Sequence, residues 1–151
     1  MSTQYRIPVP ALGFQPPMYV CRFNDKAFTL DGRLDKEFWR DIPFTEDFPD
    51  IEGAIRPIPR FRTRAKMAWD RENLYIGAVL EGDEIWAHQL EHDCVIFQDN
   101  DFEIFIDPDS DTQAYFEYEM NARNTTWDLL LTKAYRDGGK PINGYEFHGM
   151  R

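Results

Sequence analysis

Basic residues are scarce in this chain. Seventeen Lys and Arg stand against 27 Asp and Glu over 151 residues, a formal net charge of −10. Nucleic acid needs a basic footprint to neutralise its phosphates, and an anionic membrane surface needs the same, so neither is an expected partner. No run of about 18 apolar residues occurs, so no membrane-spanning helix is expected. The opening Met1-Ser2-Thr3-Gln4-Tyr5-Arg6 lacks a charged stretch followed by an apolar one, so as written no signal peptide is expected. Cysteine is nearly absent: Cys21 and Cys94 are too few for a disulfide framework and read as two buried free thiols.

Aromatics, by contrast, are plentiful. Twelve Phe, seven Tyr and four Trp supply the apolar mass that a disordered acidic chain lacks, and the length suits one domain. Pro8, Pro10, Pro16 and Pro17 mark residues 1–20 as an extended proline-rich arm, leaving residues 21–151 as the domain. Residues 27–30 read as a short strand ending at Asp31-Gly32. Residues 34–39 suit one or two helical turns with Leu34, Phe38 and Trp39 inward. A second proline-rich stretch, 43–59, reads as a surface loop.

A hairpin follows. Residues 62–69 alternate, with Ala65, Met67 and Trp69 on one face and Arg64 and Lys66 on the other. Asp70-Arg71-Glu72-Asn73 is turn chemistry, and 74–80 return as an apolar strand covered on both sides. Residues 81–100 form a connection long enough to suggest a role of its own. Three closely spaced strands come next, at 101–107, 115–121 and 126–133, and the last 14 residues read as loop. Many short strands with almost no helix predict an all-β, antiparallel β-sandwich of immunoglobulin or jelly-roll type, with one helical turn near 34–39.

Strand period decides which side chains can cooperate. Phe102, Ile104 and Ile106 share one face of their strand, and Phe116, Tyr118 and Met120 the matching face of the next, a natural core set. Glu103, Phe105, Glu117, Glu119 and Asn121 then turn the other way, outward. Like charges facing each other across a sheet are destabilising, so this cluster calls for solvent, a basic neighbour, a cation or a polar ligand. Arg64, Lys66 and Arg123 are the candidate basic neighbours. Sugar recognition combines a flat aromatic surface with fixed polar groups. Phe97, at the mouth of the long connection, and Trp86 within it are the candidate platforms. Trp39 and Trp69 read as core, whereas Trp127 could face either way. Asp107, Asp109 and Asp111 could hold calcium loosely, although Thr112 and Tyr118 stand where an EF-hand needs Gly and Glu.

Three stretches resemble a family 9 carbohydrate-binding module. Leu30-Asp31-Gly32-Arg33-Leu34-Asp35-Lys36-Glu37-Phe38-Trp39 is similar to the family's opening I-D-G-x-x-D-E-x-W. Ala68-Trp69-Asp70-Arg71-Glu72-Asn73-Leu74-Tyr75-Ile76 is like its W-D-x-x-x-L-Y-V. Asp99-Asn100-Asp101-Phe102-Glu103-Ile104-Phe105-Ile106-Asp107-Pro108 is like its D-S-V-E-I-F-I-D-P. The resemblance implies a non-catalytic sandwich that binds mono- or oligosaccharide, accompanies polysaccharide-degrading enzymes in secreted or periplasmic settings, and often carries structural calcium. It places Glu103 at the family's sugar-bonding glutamate and Asn121 at its asparagine. Phe97 takes the place of the first stacking tryptophan, and Glu119 that of an arginine. The expected carbohydrate-binding set is therefore Phe97, Glu103, Glu119, Asn121 and Trp86, and the expected metal set Asp107, Asp109 and Asp111. Such modules continue with further strands beyond the equivalent of Gly144, so the domain is expected to be incomplete at its C-terminus, with unpaired strand edges open to association.

Three rival readings stand beside this one. A protein-interaction sandwich with no small ligand needs none of the polar convergence. A glycoside hydrolase would use Glu103 and Glu119 as its carboxylate pair. A haem-binding sandwich would need axial His or Met ligands, and Met67 and Met120 read as core. No nucleophile elbow, P-loop, dinucleotide motif or zinc-type Cys/His spacing is present, and His88 and His92 read as loop histidines.

Overall fold

A computed structural model describes residues 16–150. The fold class is the expected all-β sandwich class with one short helix: the strands form a three-stranded sheet, β1-β2-β3, and a four-stranded sheet, β4-β5-β6-β7. The chain divides into two compact units between Gly82 and Asp83, one sheet in each.

In the first unit, β2 (Thr63–Trp69) and β3 (Leu74–Leu80) form the expected hairpin, with Thr63 opposite Leu80 and Trp69 opposite Leu74. Asp70 makes the turn. Its Oδ1 accepts the N–H groups of Glu72 and Asn73 at 2.8 and 2.7 Å, and its Oδ2 accepts the Tyr75 hydroxyl at 2.8 Å, a side chain standing in for the backbone acceptors of a turn. β3 is half-buried with exposed ends, not covered along its length on both faces as an apolar run suggests. The helical turn α1 is Glu37–Arg40 and delivers Phe38 and Trp39 to the core. Phe28 stacks on Phe38 at 4.0 Å between centroids, and Tyr75 meets both edge-on. Ile42 and Ala68 complete this cluster. Gly77 lies directly under Leu34, and a Cβ there would come within 2.4 Å of a Leu34 methyl, so glycine in this strand marks a close approach.

Two further expectations change in this unit. The strand expected at 27–30 is absent, and Arg22–Phe23 instead form β1, parallel to β2. Trp69 is 45% exposed, not core, because it ends β2, where its ring meets the edge of Phe23 at 5.0 Å. Within this unit the Arg64 and Lys66 cations lie over the Phe44 ring, and Lys66 Nζ donates to the Trp39 carbonyl at 2.9 Å. Of the proline-rich arm, residues 1–15 lie outside the described residues. At its end, the Tyr19 hydroxyl donates to the Pro43 carbonyl at 2.7 Å and accepts from the Met67 N–H at 3.2 Å. Cys21 and Cys94 are free and half-buried.

The second unit is an antiparallel meander of β4 (Asp101–Ile106), β5 (Gln113–Asn121), β6 (Thr126–Lys133) and β7 (Pro141–Asn143). β7 falls within the 14 residues expected to be loop. Its sequence is too short to show a period, and only its pairing with Leu129–Leu131 makes it a strand. The register confirms the predicted facing of β4 and β5 but not the predicted placement of the core. Glu119 lies opposite Trp127, Glu117 opposite Leu129 and Tyr115 opposite Leu131. Trp127, Leu129 and Leu131 therefore share the acidic face, and they pack with Ile96 as the buried cluster of this unit. On the other face Tyr118 is buried as expected, but Phe102, Ile104, Ile106, Phe116 and Met120 are only half-buried.

Candidate functional site

The expected outward acids are mostly not outward. Glu117, Glu119 and Asn121 are 4%, 2% and 4% exposed, because the short 3₁₀ turn Ile96–Gln98 brings Ile96 onto the same face. Only Glu103 remains open. Register sets Glu103 beside Glu119 and Asp101 beside Asn121. One carboxylate oxygen from each of Asp101, Glu103 and Glu119 lies within 4.8 Å of the others. Asp101 Oδ2 and Glu119 Oε2 are buried with no N–H donor, and the two carboxyls hydrogen-bond to each other when Glu119 is protonated.

Electrostatics follow from that crowding. Burial first, and then the charges of Glu103, Glu117 and Asp101, push the Glu119 carboxyl up to about 8, against a smaller pull from the Phe97 N–H that it accepts. Glu103 and Glu117 are raised by burial in the same way. Glu119 thus holds its proton at neutral pH, which lowers the mutual repulsion of the group.

Asn121 holds the connecting segment in place. Its Nδ2 donates to the Gln89 carbonyl at 2.9 Å and to Asp99 Oδ2 at 3.0 Å, and its Oδ1 accepts from the Arg123 and Thr125 N–H groups at 2.9 and 3.1 Å. An amide offers two donors and two lone pairs, so all of its capacity is used internally. Asp99 extends the network by accepting the His88 and Gln89 N–H groups at 2.9 and 2.8 Å. Burial works against its charge, but these bonds outweigh it and hold its carboxyl below the usual range. Arg123 Nε donates to the Ala87 carbonyl at 3.1 Å, so this expected basic neighbour also serves the loop.

Aromatic rings rim the carboxylates. Phe97 is 60% exposed, tilted over Trp127 at 6.1 Å between centroids. Phe105 shares the face with Glu103 and lies 6.3 Å from the Tyr115 ring. Tyr135 is half-exposed, and its hydroxyl donates to Glu117 Oε2 at 2.6 Å. Trp127 is buried, its Nε1 donating to Asn143 Oδ1 at 2.8 Å. Trp86 stands apart from this group, its ring 5.1 Å from that of His88. Phe97, Glu103, Glu119 and Asn121 are therefore brought together. Tyr135 was not foreseeable from strand period, since it lies beyond β6 on a 3₁₀ turn, Tyr135–Asp137.

The Asp107, Asp109 and Asp111 carboxylates also converge within 4.8 Å. Their oxygens serve the turn itself: Asp107 accepts from the Ser110 and Thr112 N–H groups at 3.1 and 2.8 Å, and Asp111 from Gln113 at 2.7 Å. No atom in this loop is buried without a partner among the described residues.

Over residues 30–142, well over half of the chain, the sequence matches the family model described as carbohydrate family 9 binding domain-like. The chain belongs to this family. Comparison with curated proteins gave no match, and neither did comparison with solved structures. The family 9 match runs from before α1 into β7 and leaves out β1, so it covers the whole acid–aromatic face. A family 9 domain is in general a binding module that does no chemistry.

Proposed function

We propose that this chain binds mono- or oligosaccharide on the face formed by Phe97, Glu103, Phe105 and Tyr135, without catalysis, as a module that accompanies polysaccharide-degrading enzymes. The observation that carries the reading is three exposed aromatic rings, Phe97, Phe105 and Tyr135, on the sheet face that carries the open Glu103 carboxylate. Flat rings take the apolar face of a pyranose, and Glu103 accepts hydrogen bonds from its hydroxyls. Glu119, protonated, supports Glu103 from below, while Asn121 acts by holding the loop that presents Phe97. Trp86 is a secondary contact at the far side of that loop.

Hydrolysis would need one of the paired carboxyls to reach a glycosidic oxygen. Glu119 is 2% exposed and turned toward the Phe97 N–H, which supports binding over catalysis. Calcium at Asp107, Asp109 and Asp111 remains part of the proposal as a structural ion for the β4–β5 turn.

Titration calorimetry of the folded chain against glucose, xylose, cellobiose and xylo-oligosaccharides tests the reading. At least one sugar should bind, Phe97→Ala should weaken it roughly tenfold, about 1.4 kcal/mol, and the sugar should be recovered uncleaved. Absence of binding across the panel, or an unaltered affinity in the Phe97→Ala variant, would sink it.

A further inference from the structure

A second cluster of unsatisfied groups lies on the opposite face of the second sheet. Asp128 of β6, 3% exposed, pairs in register with Tyr118, so it points away from the sugar face. Its Oδ2 accepts the Phe147 N–H at 2.7 Å, and its Oδ1 is buried with no partner. Asp93 Oδ1 is buried and unpartnered as well. Asp93 is held in place by its N–H, which donates to the Thr126 carbonyl at 3.1 Å, with a left-handed backbone at φ 63°.

His92 completes the arrangement. Its Nδ1 lies 2.9 Å from the Thr126 carbonyl oxygen. A carbonyl only accepts, so Nδ1 carries the hydrogen and Nε2 of the neutral ring presents a lone pair. Among the described residues that lone pair faces acceptors: both Glu146 carboxylate oxygens at 3.3 Å and Asp93 Oδ1 at 3.6 Å. The ligand atoms of His92, Asp93 and Asp128 all lie within 4.8 Å of one another. Three donors converge, Glu146 adjoins them through His92, and each aspartate holds a buried oxygen with nothing to bond.

We propose that His92 Nε2, Asp93 Oδ1, Asp128 Oδ1 and the Glu146 carboxylate bind one divalent transition-metal ion, zinc in preference to calcium. Imidazole with carboxylates is a donor set for zinc, whereas calcium prefers oxygen alone. The 3.3 and 3.6 Å separations of Nε2 from its neighbours sit close to the edge of about 3.3 Å expected for a tetrahedron with bonds of roughly 2.0–2.1 Å. The Nδ1–H bond to a backbone carbonyl is the outer contact that orients a ligating histidine. Bound there, the ion joins three separate pieces of chain: the turn at 92–93, strand β6, and the segment after β7.

The test uses the full chain, stripped with a chelator and then dialysed against zinc, manganese or calcium, with elemental analysis, calorimetry and melting as readouts. One equivalent of zinc should bind, at least tenfold tighter than calcium, and raise the melting temperature. Asp128→Asn removes a buried group and could fail to fold. His92→Gln and Glu146→Gln alter half-exposed side chains, and each should fold and lose at least tenfold in zinc affinity. Substoichiometric zinc, or uptake unchanged by His92→Gln, overturns the proposal. So does nitrogen NMR of the stripped protein and its zinc-saturated form showing Nε2 protonated in both, which would make the site a histidinium held by carboxylates.

Discussion

The two units bury different things. The first packs Phe28, Phe38, Trp39, Ile42, Ala68 and Tyr75 together; its buried Lys66 is satisfied by the Trp39 carbonyl, and Arg64 Nε is its buried atom without a partner among the described residues. The second sets Trp127, Leu129, Leu131 and Ile96 on the same face as Glu117, Glu119 and Asn121. Its buried carboxylates leave oxygens of Asp93 and Asp128 without partners and press Asp101 against Glu119 with a proton between them. A buried polar group without a hydrogen bond costs about 1–3 kcal/mol. A ligand can relieve such burial, and both proposed sites lie beside these carboxylates in the second unit.

The largest effect expected comes from the first unit. Trp39→Ala removes a ring that is 2% exposed and should destabilise the protein by about 3–5 kcal/mol, read as a shift in the denaturant midpoint. A small loss would mean that the aromatic cluster contributes less than its burial implies. Next is Asn121→Ala, which leaves the Gln89 carbonyl, Asp99 and two N–H groups short of partners. It should cost about 2–4 kcal/mol and weaken sugar binding with it, through the loop rather than through a lost contact. Sugar affinity lost with stability unchanged would instead make Asn121 a direct ligand.

Glu119→Gln should have the opposite sign. The amide keeps the shape, cannot ionise, and can donate toward Asp101, so at pH 8 the variant should be more stable by about 1–2 kcal/mol. The wild-type pH dependence follows from the same group. Its folded value, about 8, lies above the ordinary 4.5, so between these pH values the native state binds more protons than the unfolded state. Stability is then highest below about pH 4.5 as far as this group is concerned, and falls as pH rises toward 8. Melting curves should show that fall in the wild type and a shallower one in Glu119→Gln. Equal slopes would show that Glu119 ionises freely. The smallest effect is calcium at the Asp107 loop, which is exposed and already bonded to itself. Millimolar calcium should raise the melting temperature by about 1–2 °C, and the Asp109→Asn/Asp111→Asn variant should abolish that rise.

Alternation along β4 and β5 was legible in the sequence, and the facing it predicted for Glu103, Glu117, Glu119 and Asn121 is the facing observed. Their depth was not legible. Period says which way a side chain points, but what lies over it depends on a distant segment, here Ile96–Gln98. The same limit explains Trp69, whose alternation suggested core and whose position at the strand end leaves it exposed. The partnership of His92, Asp93, Asp128 and Glu146 spans more than 50 residues of sequence, and no local spacing signals it.

By itself the sequence determined the all-β class, the β2–β3 hairpin, the three-strand meander and the family, because side-chain period, turn residues and motif order are local properties. Tertiary structure alone decided which sheet face is buried, that Asn121 is fully engaged by the loop, and where carboxylates lack partners. Burial and hydrogen-bond satisfaction depend on contacts between residues far apart in the chain, and those exist only once it has folded.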